Sequence, residues 1–108
     1  MLSTHVLDIS SGAPAAGVEI CLFRGGASRT ELVRGSTDAD GRIASRFGGE
    51  LVPGQYELVF KVGAYFARLG VATMYDEIPV RFRIDPGIEH YHIPLLVAPW
   101  GYSTYRGN

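Results

Sequence analysis

Residues 90–108 read HYHIPLLVAPWGYSTYRGN, and the alternation within this stretch decides the fold. Successive side chains of a β-strand point to opposite faces. His90, His92, Pro94 and Leu96 therefore share one face, and Tyr91, Ile93, Leu95 and Val97 share the other. The second set is the more uniformly apolar, so it is expected to face a core and to turn the histidines outward. Ala98–Gly101 (APWG) supplies a turn. A hairpin closed there sets Leu96 near Ser103, Pro94 near Tyr105 and His92 near Gly107. The tail, Arg106 included, is thus expected beside an imidazole on an outward sheet face. Pro94 lacks a ladder donor and belongs at an edge or a non-bonded site.

The rest of the chain carries the same period of two, cut by glycine and proline. There are 14 glycines and 6 prolines, and they fall between short apolar runs, which is the punctuation of an all-β chain. Strands are expected over Ser3–Ile9, over VEICLFR (18–24), over ELVRGSTD (31–38), and after the Asp40-Gly41 turn in ADGRI. Further strands are expected over PGQYELVFKV (53–62), EIPVRFRI (77–84), EHYHIPLLV (89–97) and the tail from Tyr102 to Asn108. Ser10–Gly17 reads as a loop. Tyr65, Phe66 and Leu69 fall at helical spacing before Gly70, which predicts one short helix over Ala64–Leu69. About eight strands and one helix describe a mainly β, two-sheet sandwich. All 108 residues make one domain, residues 1–108.

The formal net charge is -1 with both signs mixed, which argues against a nucleic-acid partner. No stretch approaches the roughly 20 apolar residues of a membrane span, and the N-terminus lacks the pattern of a secretory signal. The cytoplasm is the expected location. Cys21 is the one cysteine and lies in an apolar strand, so it reads as a small buried hydrophobe. No cofactor is expected. His90 and His92 share a face as a metal pair would, but no third ligand of suitable spacing follows, so no metal is expected. His90 is left at the rim.

His5 alternates with Ser3 and Leu7, while Leu2 and Val6 take the other face. His5 is therefore expected outward as well. A sheet face carrying Leu7, Pro94, Leu96 and Tyr105 is too apolar for plain solvent surface, and such faces mark an interface or a ligand groove. Taken singly, His5 and Arg42 are ordinary surface residues, and GYSTY is an ordinary strand.

The stretches STHVLDISSGAPAAGV, STDADGRI and HYHIPLLVAPWGYSTYRG anchor the start, middle and end of the chain. Through them the sequence resembles the transthyretin-related family, on its hydrolase side. The resemblance implies a transthyretin-like (prealbumin-like) sandwich of two four-stranded sheets with one short helix. It also implies a homotetramer, a dimer of dimers with active sites in a central channel, and a small-molecule substrate, 5-hydroxyisourate. On the family pattern the catalytic residues fall on His5, Arg42 and His92, with Tyr105, Arg106 and Gly107 in the terminal motif. Ser103 and Asn108 complete the expected substrate-binding set. The family's motif ends in serine where this chain has Asn108, which weakens any role for a terminal hydroxyl. The implied reaction opens a ring at an amide-like C–N bond. Histidine suits water activation, and the donor fork of arginine suits charge stabilisation. Which histidine is the base stays open. A non-catalytic carrier of a small aromatic ligand and a plain interaction module are the competing readings.

Overall fold

The computed structural model describes residues 1–43 and 46–108. Its elements are β1 (Leu2–Ser3), β2 (Val6–Asp8), β3 (Ala13–Pro14), β4 (Glu19–Arg24), β5 (Thr30–Ser36) and β6 (Gly54–Phe60). They continue with α1 (Val62–Arg68), β7 (Ile78–Ile84), β8 (Tyr91–His92), β9 (Leu95–Ala98) and β10 (Gly101–Thr104). One sheet runs β10-β9-β2-β3 and the other β5-β4-β6-β7, with β1-β8 as a two-stranded piece. Leu2, Val6, Leu95 and Val97 from the first sheet and its extension are fully buried, as are Ile20, Leu22, Leu58, Phe60 and Ile78 from the second. The expected inward set Tyr91, Ile93, Leu95 and Val97 is buried throughout. No helix among the described residues is long and apolar enough to cross a membrane.

Where the elements differ from expectation, the cause is local. The long strand over 89–97 is two strands, because Pro94 cannot donate across the ladder. The first strand likewise divides into β1 and β2. A parallel ladder nonetheless carries past the break: Tyr91, Ile93 and Leu95 donate their N–H to the carbonyls of Met1, Ser3 and His5 at 2.8, 2.9 and 2.9 Å. Thr4, buried at the interruption, donates its hydroxyl to the Ile93 carbonyl at 2.6 Å. Pro94 is buried. Its missing donor faces the tail, where β10 has ended and the Thr104 hydroxyl donates to the Pro94 carbonyl. The loop over 10–17 contains β3, a short pairing with β2. The strand expected after Asp40-Gly41 reduces to an antiparallel bridge between His5 and Arg42, and the part of it over 44–45 lies outside the described residues.

The helix begins two residues before the expected start, and it ends where Gly70 predicts. The N–H groups of Gly70 and Val71 donate to the carbonyls of Ala67 and Phe66, closing the last turn in a Schellman arrangement. Val62, Tyr65 and Phe66 bury against the sandwich.

One buried polar cluster ties the helix to β2. Asp8 is 1% exposed and accepts from the Tyr65 hydroxyl at 2.8 Å and from the backbone and hydroxyl of Ser10. Burial raises the Asp8 carboxyl, but the hydrogen bonds from Ser10, Tyr65 and Ser11 outweigh it and hold the pKa below the usual value. Burial, then the bond to Asp8, pushes the Tyr65 phenol up to about 12. A carboxyl depressed in the folded state contributes stability above its unfolded pKa and loses it as pH falls through the folded value. Asp8→Asn is therefore expected to cost about 1–3 kcal/mol at neutral pH. The penalty should shrink in acid. Denaturant midpoints of the two proteins at pH 7 and pH 3 check both statements.

Candidate active site

The parallel register sets Ser3 beside His92, and residues paired across a ladder share a face. The Ser3 hydroxyl lies 2.8 Å from His92 Nδ1 and 3.3 Å from His90 Nε2. Two residues along, His5 bridges Arg42 in antiparallel register, which brings the arginine to the same outward face. His5 Nε2 lies 2.8 Å from the Asp40 carbonyl oxygen. A carbonyl only accepts, so this nitrogen carries a proton and His5 presents Nδ1 as its lone pair.

The loop delivering Arg42 is closely built. The Asp38 carboxylate accepts from the N–H groups of Asp40 and Arg42 at 2.9 and 3.0 Å, and the Asp38 N–H donates to the Arg42 carbonyl at 2.7 Å. Gly41 adopts φ +74° and donates no side chain to a crowded spot. A Cβ there would sit 2.4 Å from the Val6 carbonyl oxygen and 3.1 Å from Pro14. That carbonyl-rich approach lets the Val6 N–H donate to the Gly41 carbonyl at 2.7 Å.

The tail returns as the hairpin register requires. Ser103 pairs with Leu96, and Gly107 bridges His92, its N–H donating to the His92 carbonyl at 2.6 Å. A Cβ at Gly107 would fall 2.6 Å from His92 Cδ2, so only glycine lets the chain lie against the imidazole. Ser103 and Asn108 are exposed. Arg106 is elsewhere: its guanidinium carbon stands 5.1 Å from the centroid of the Tyr91 ring. Alternation explains the difference. If Gly107 meets His92, its neighbour Arg106 points across the strand and meets the neighbour of His92. Arg106 and Tyr105 line a small apolar hollow with Val80, Phe82, Tyr91 and Ile93.

His92 is the group most affected by these surroundings. Burial, then the positive charge of Arg42, then the neighbouring His5 and His90, hold its pKa below the ordinary 6.5; the Ser3 contact opposes them. The ring is therefore neutral near pH 7 and available to accept a proton. Cys21 is buried and its thiol is pushed up by burial, so it is no nucleophile. Among the described residues, no three His, Cys, Asp or Glu side chains are placed to hold a metal ion. The structure brings His5, Arg42, His92, Gly107 and Ser103 to one side of the sheet, leaves Tyr105 and Arg106 at its border, and ends on an exposed Asn108. It adds Ser3 and His90. Ser3 had one visible signal, its shared face with His5. The pairing that makes it meet His92 cannot be read from either segment alone.

The model of the HIUase/Transthyretin family matches residues 2–107. The chain belongs to that family. Among curated relatives of this HIUase/Transthyretin protein is the 5-hydroxyisourate hydrolase of Mesorhizobium japonicum, 46% identical over 114 residues, which cover 99% of this chain and 91% of the relative. Among solved structures, the Klebsiella pneumoniae 5-hydroxyisourate hydrolase superposes with a TM-score of 0.89 at 45% identity, covering 99% of this chain and 97% of the other. The transthyretin of Sparus aurata gives 0.89 at 27% identity, covering 98% and 95%. The expected transthyretin-like sandwich is thus the observed fold.

Proposed function

We propose that this protein hydrolyses 5-hydroxyisourate to 2-oxo-4-hydroxy-4-carboxy-5-ureidoimidazoline. The observation that carries this reading is a proton-accepting His92 set beside His5 and Arg42 on one sheet face, in a chain closely similar to named hydrolases of that compound. Water attacks the ring carbonyl as an imidazole takes one of its protons. Arg42 stabilises the oxyanion that forms on the carbonyl oxygen. The C–N bond then breaks, and the proton passes to the departing nitrogen. The products are a freed ureido N–H and a carboxylic acid that releases its proton to solvent as the carboxylate, so both hydrogens of the water are accounted for. His92 and His5 share the proton transfers. Ser103, Gly107 and Asn108 line the substrate's resting place. Tyr105 and Arg106 border it, and Arg106 would swing past Gly107 to reach the substrate.

The same reading includes a homotetramer. Leu7 and Leu96, paired across β2 and β9, form a half-exposed apolar floor next to the histidines. A second copy laid on this face would cover the floor and enclose the site. One buried cysteine leaves no intrachain disulfide to maintain, which suits the cytoplasm.

The test generates 5-hydroxyisourate in place from urate with urate oxidase and follows the loss of its ultraviolet absorbance. Faster loss with the protein supports hydrolysis. A rate equal to spontaneous decay returns the protein to a carrier role, for which the likeness to Sparus transthyretin is the supporting observation.

A pH dependence follows from the site. Because His92 is depressed below 6.5, kcat/KM should hold its plateau at pH 7 and fall only on the acid side of the ordinary histidine value, as the base is protonated. Arg42→Gln removes the second-largest depressing influence. The acid limb should move up toward 6.5, and the plateau should drop by roughly 10²–10³ as the oxyanion loses its cation. pH–rate profiles of both proteins measure this.

A further inference from the structure

We propose that Ser3 is a positioning residue that fixes His92 in the Nδ1–H tautomer and donates its own hydroxyl hydrogen bond to His90 Nε2, so that His92 Nε2 carries the lone pair that receives the proton from water. The inference rests on the hydrolytic reading above and adds a residue and a direction to it.

Among the described residues, Ser3 Oγ is in hydrogen-bonding reach of both rings, at 2.8 Å from His92 Nδ1 and 3.3 Å from His90 Nε2. A hydroxyl donates one hydrogen bond and accepts others. It can donate to only one of the two imidazoles, so the ring that receives that hydrogen bond and the ring that does not are distinguished. If Ser3 donated to His92, the Nδ1 lone pair would be occupied and the proton of the neutral ring would sit on Nε2, leaving no base. If Ser3 accepts from His92, Nδ1 holds the proton and Nε2 is free.

The surroundings select the second direction. Arg42 is a donor-only cation on the same outward face, so a ring that presents a lone pair to that face is better placed than one that presents an N–H. His5 cannot take over with the same atom, because its Nε2–H is committed to the Asp40 carbonyl. The arrangement also serves the reaction. As His92 Nε2 takes the water proton, the ring becomes an imidazolium and its Nδ1–H bond to Ser3 strengthens. When Nε2 returns that proton to the leaving nitrogen, the ring reverts to the same tautomer. Ser3 changes neither charge nor covalent state. Its side chain is held because its carbonyl is fixed by the Ile93 N–H at 2.9 Å. His90, which reads from sequence as a rim residue, becomes the acceptor at the end of the chain.

Long-range proton–nitrogen spectra of the imidazoles, recorded on the intact protein above the histidine titration range, test the assignment directly. The unaltered protein should show His92 protonated at Nδ1. Ser3→Ala should collapse this preference toward an Nδ1/Nε2 mixture, and Ser3→Thr, which keeps the hydroxyl, should restore it. In the coupled absorbance assay, Ser3→Ala should lower kcat by about 10–100-fold with KM changed less than threefold, and Ser3→Thr should recover most of the loss. A spectrum of the unaltered protein with the His92 proton on Nε2 overturns the proposal. So does a Ser3→Ala protein with unchanged kcat. If the unaltered protein does not accelerate ring opening at all, the functional reading fails, while the spectra still decide the hydrogen-bond direction.

Discussion

Replacing His92 by asparagine is expected to lower kcat/KM for 5-hydroxyisourate opening by about 10²–10⁴, the usual worth of a positioned general base. Asparagine is close in size and keeps a polar atom near Ser3, so the substitution removes basicity while disturbing little else. His92 is anchored by backbone bonds at its own carbonyl and on both sides in the ladder, and none of them involves the ring. The fold and the assembly should survive. The melting temperature should move by only a few degrees, and the sedimentation of the variant should match that of the unaltered protein. The rate should be measured against spontaneous decay of the same substrate pool. A His92→Asn protein within threefold of the unaltered rate would remove His92 from the chemistry. It would leave His5, with its Nδ1 lone pair, as the base to be examined.

The second large effect is structural. Gly41→Ala should destabilise the protein by about 3–5 kcal/mol, the combined cost of a left-handed non-glycine residue and a backbone displacement. The added methyl would sit 2.4 Å from the Val6 carbonyl oxygen, which is backbone and cannot rotate away. Either β2 or the turn must move. The same turn delivers Arg42 to the bridge with His5, so the variant should lose activity even at temperatures where it stays folded. Thermal unfolding by circular dichroism measures the first effect, with an expected fall in Tm of about 15 °C or more. Turnover at 10 °C measures the second. A melting curve that superposes on that of the unaltered protein would show that the turn has another packing available.

Much of this could be read from the chain, for reasons that differ by element. The β9–β10 hairpin follows from period-two alternation and turn length, both local quantities, and its predicted pairing of Leu96 with Ser103 is the observed one. The approach of Gly107 to His92 follows from the same count. Arg106 marks where that count stops short: carrying a backbone beside an imidazole does not carry each side chain there, and alternation sends Arg106 to Tyr91. The splitting of the first and penultimate strands was hidden because a proline shows a lost donor but not how the neighbouring strand adjusts. The contacts of Ser3 were hidden for a stronger reason. They depend on two segments pairing in parallel from 89 residues apart, and no local pattern in either one names its partner.

That distance has a consequence for how activity first arises. The segment holding Ser3 and His5 is synthesised well before the strands it pairs with. Until residues 90–107 have been made, the imidazoles cannot be brought together. Closing so long a loop comes late and slowly for a non-local β topology. Recovery of turnover during refolding should therefore trail the recovery of β-sheet signal, and catalytic competence would report the joining of the two distant segments.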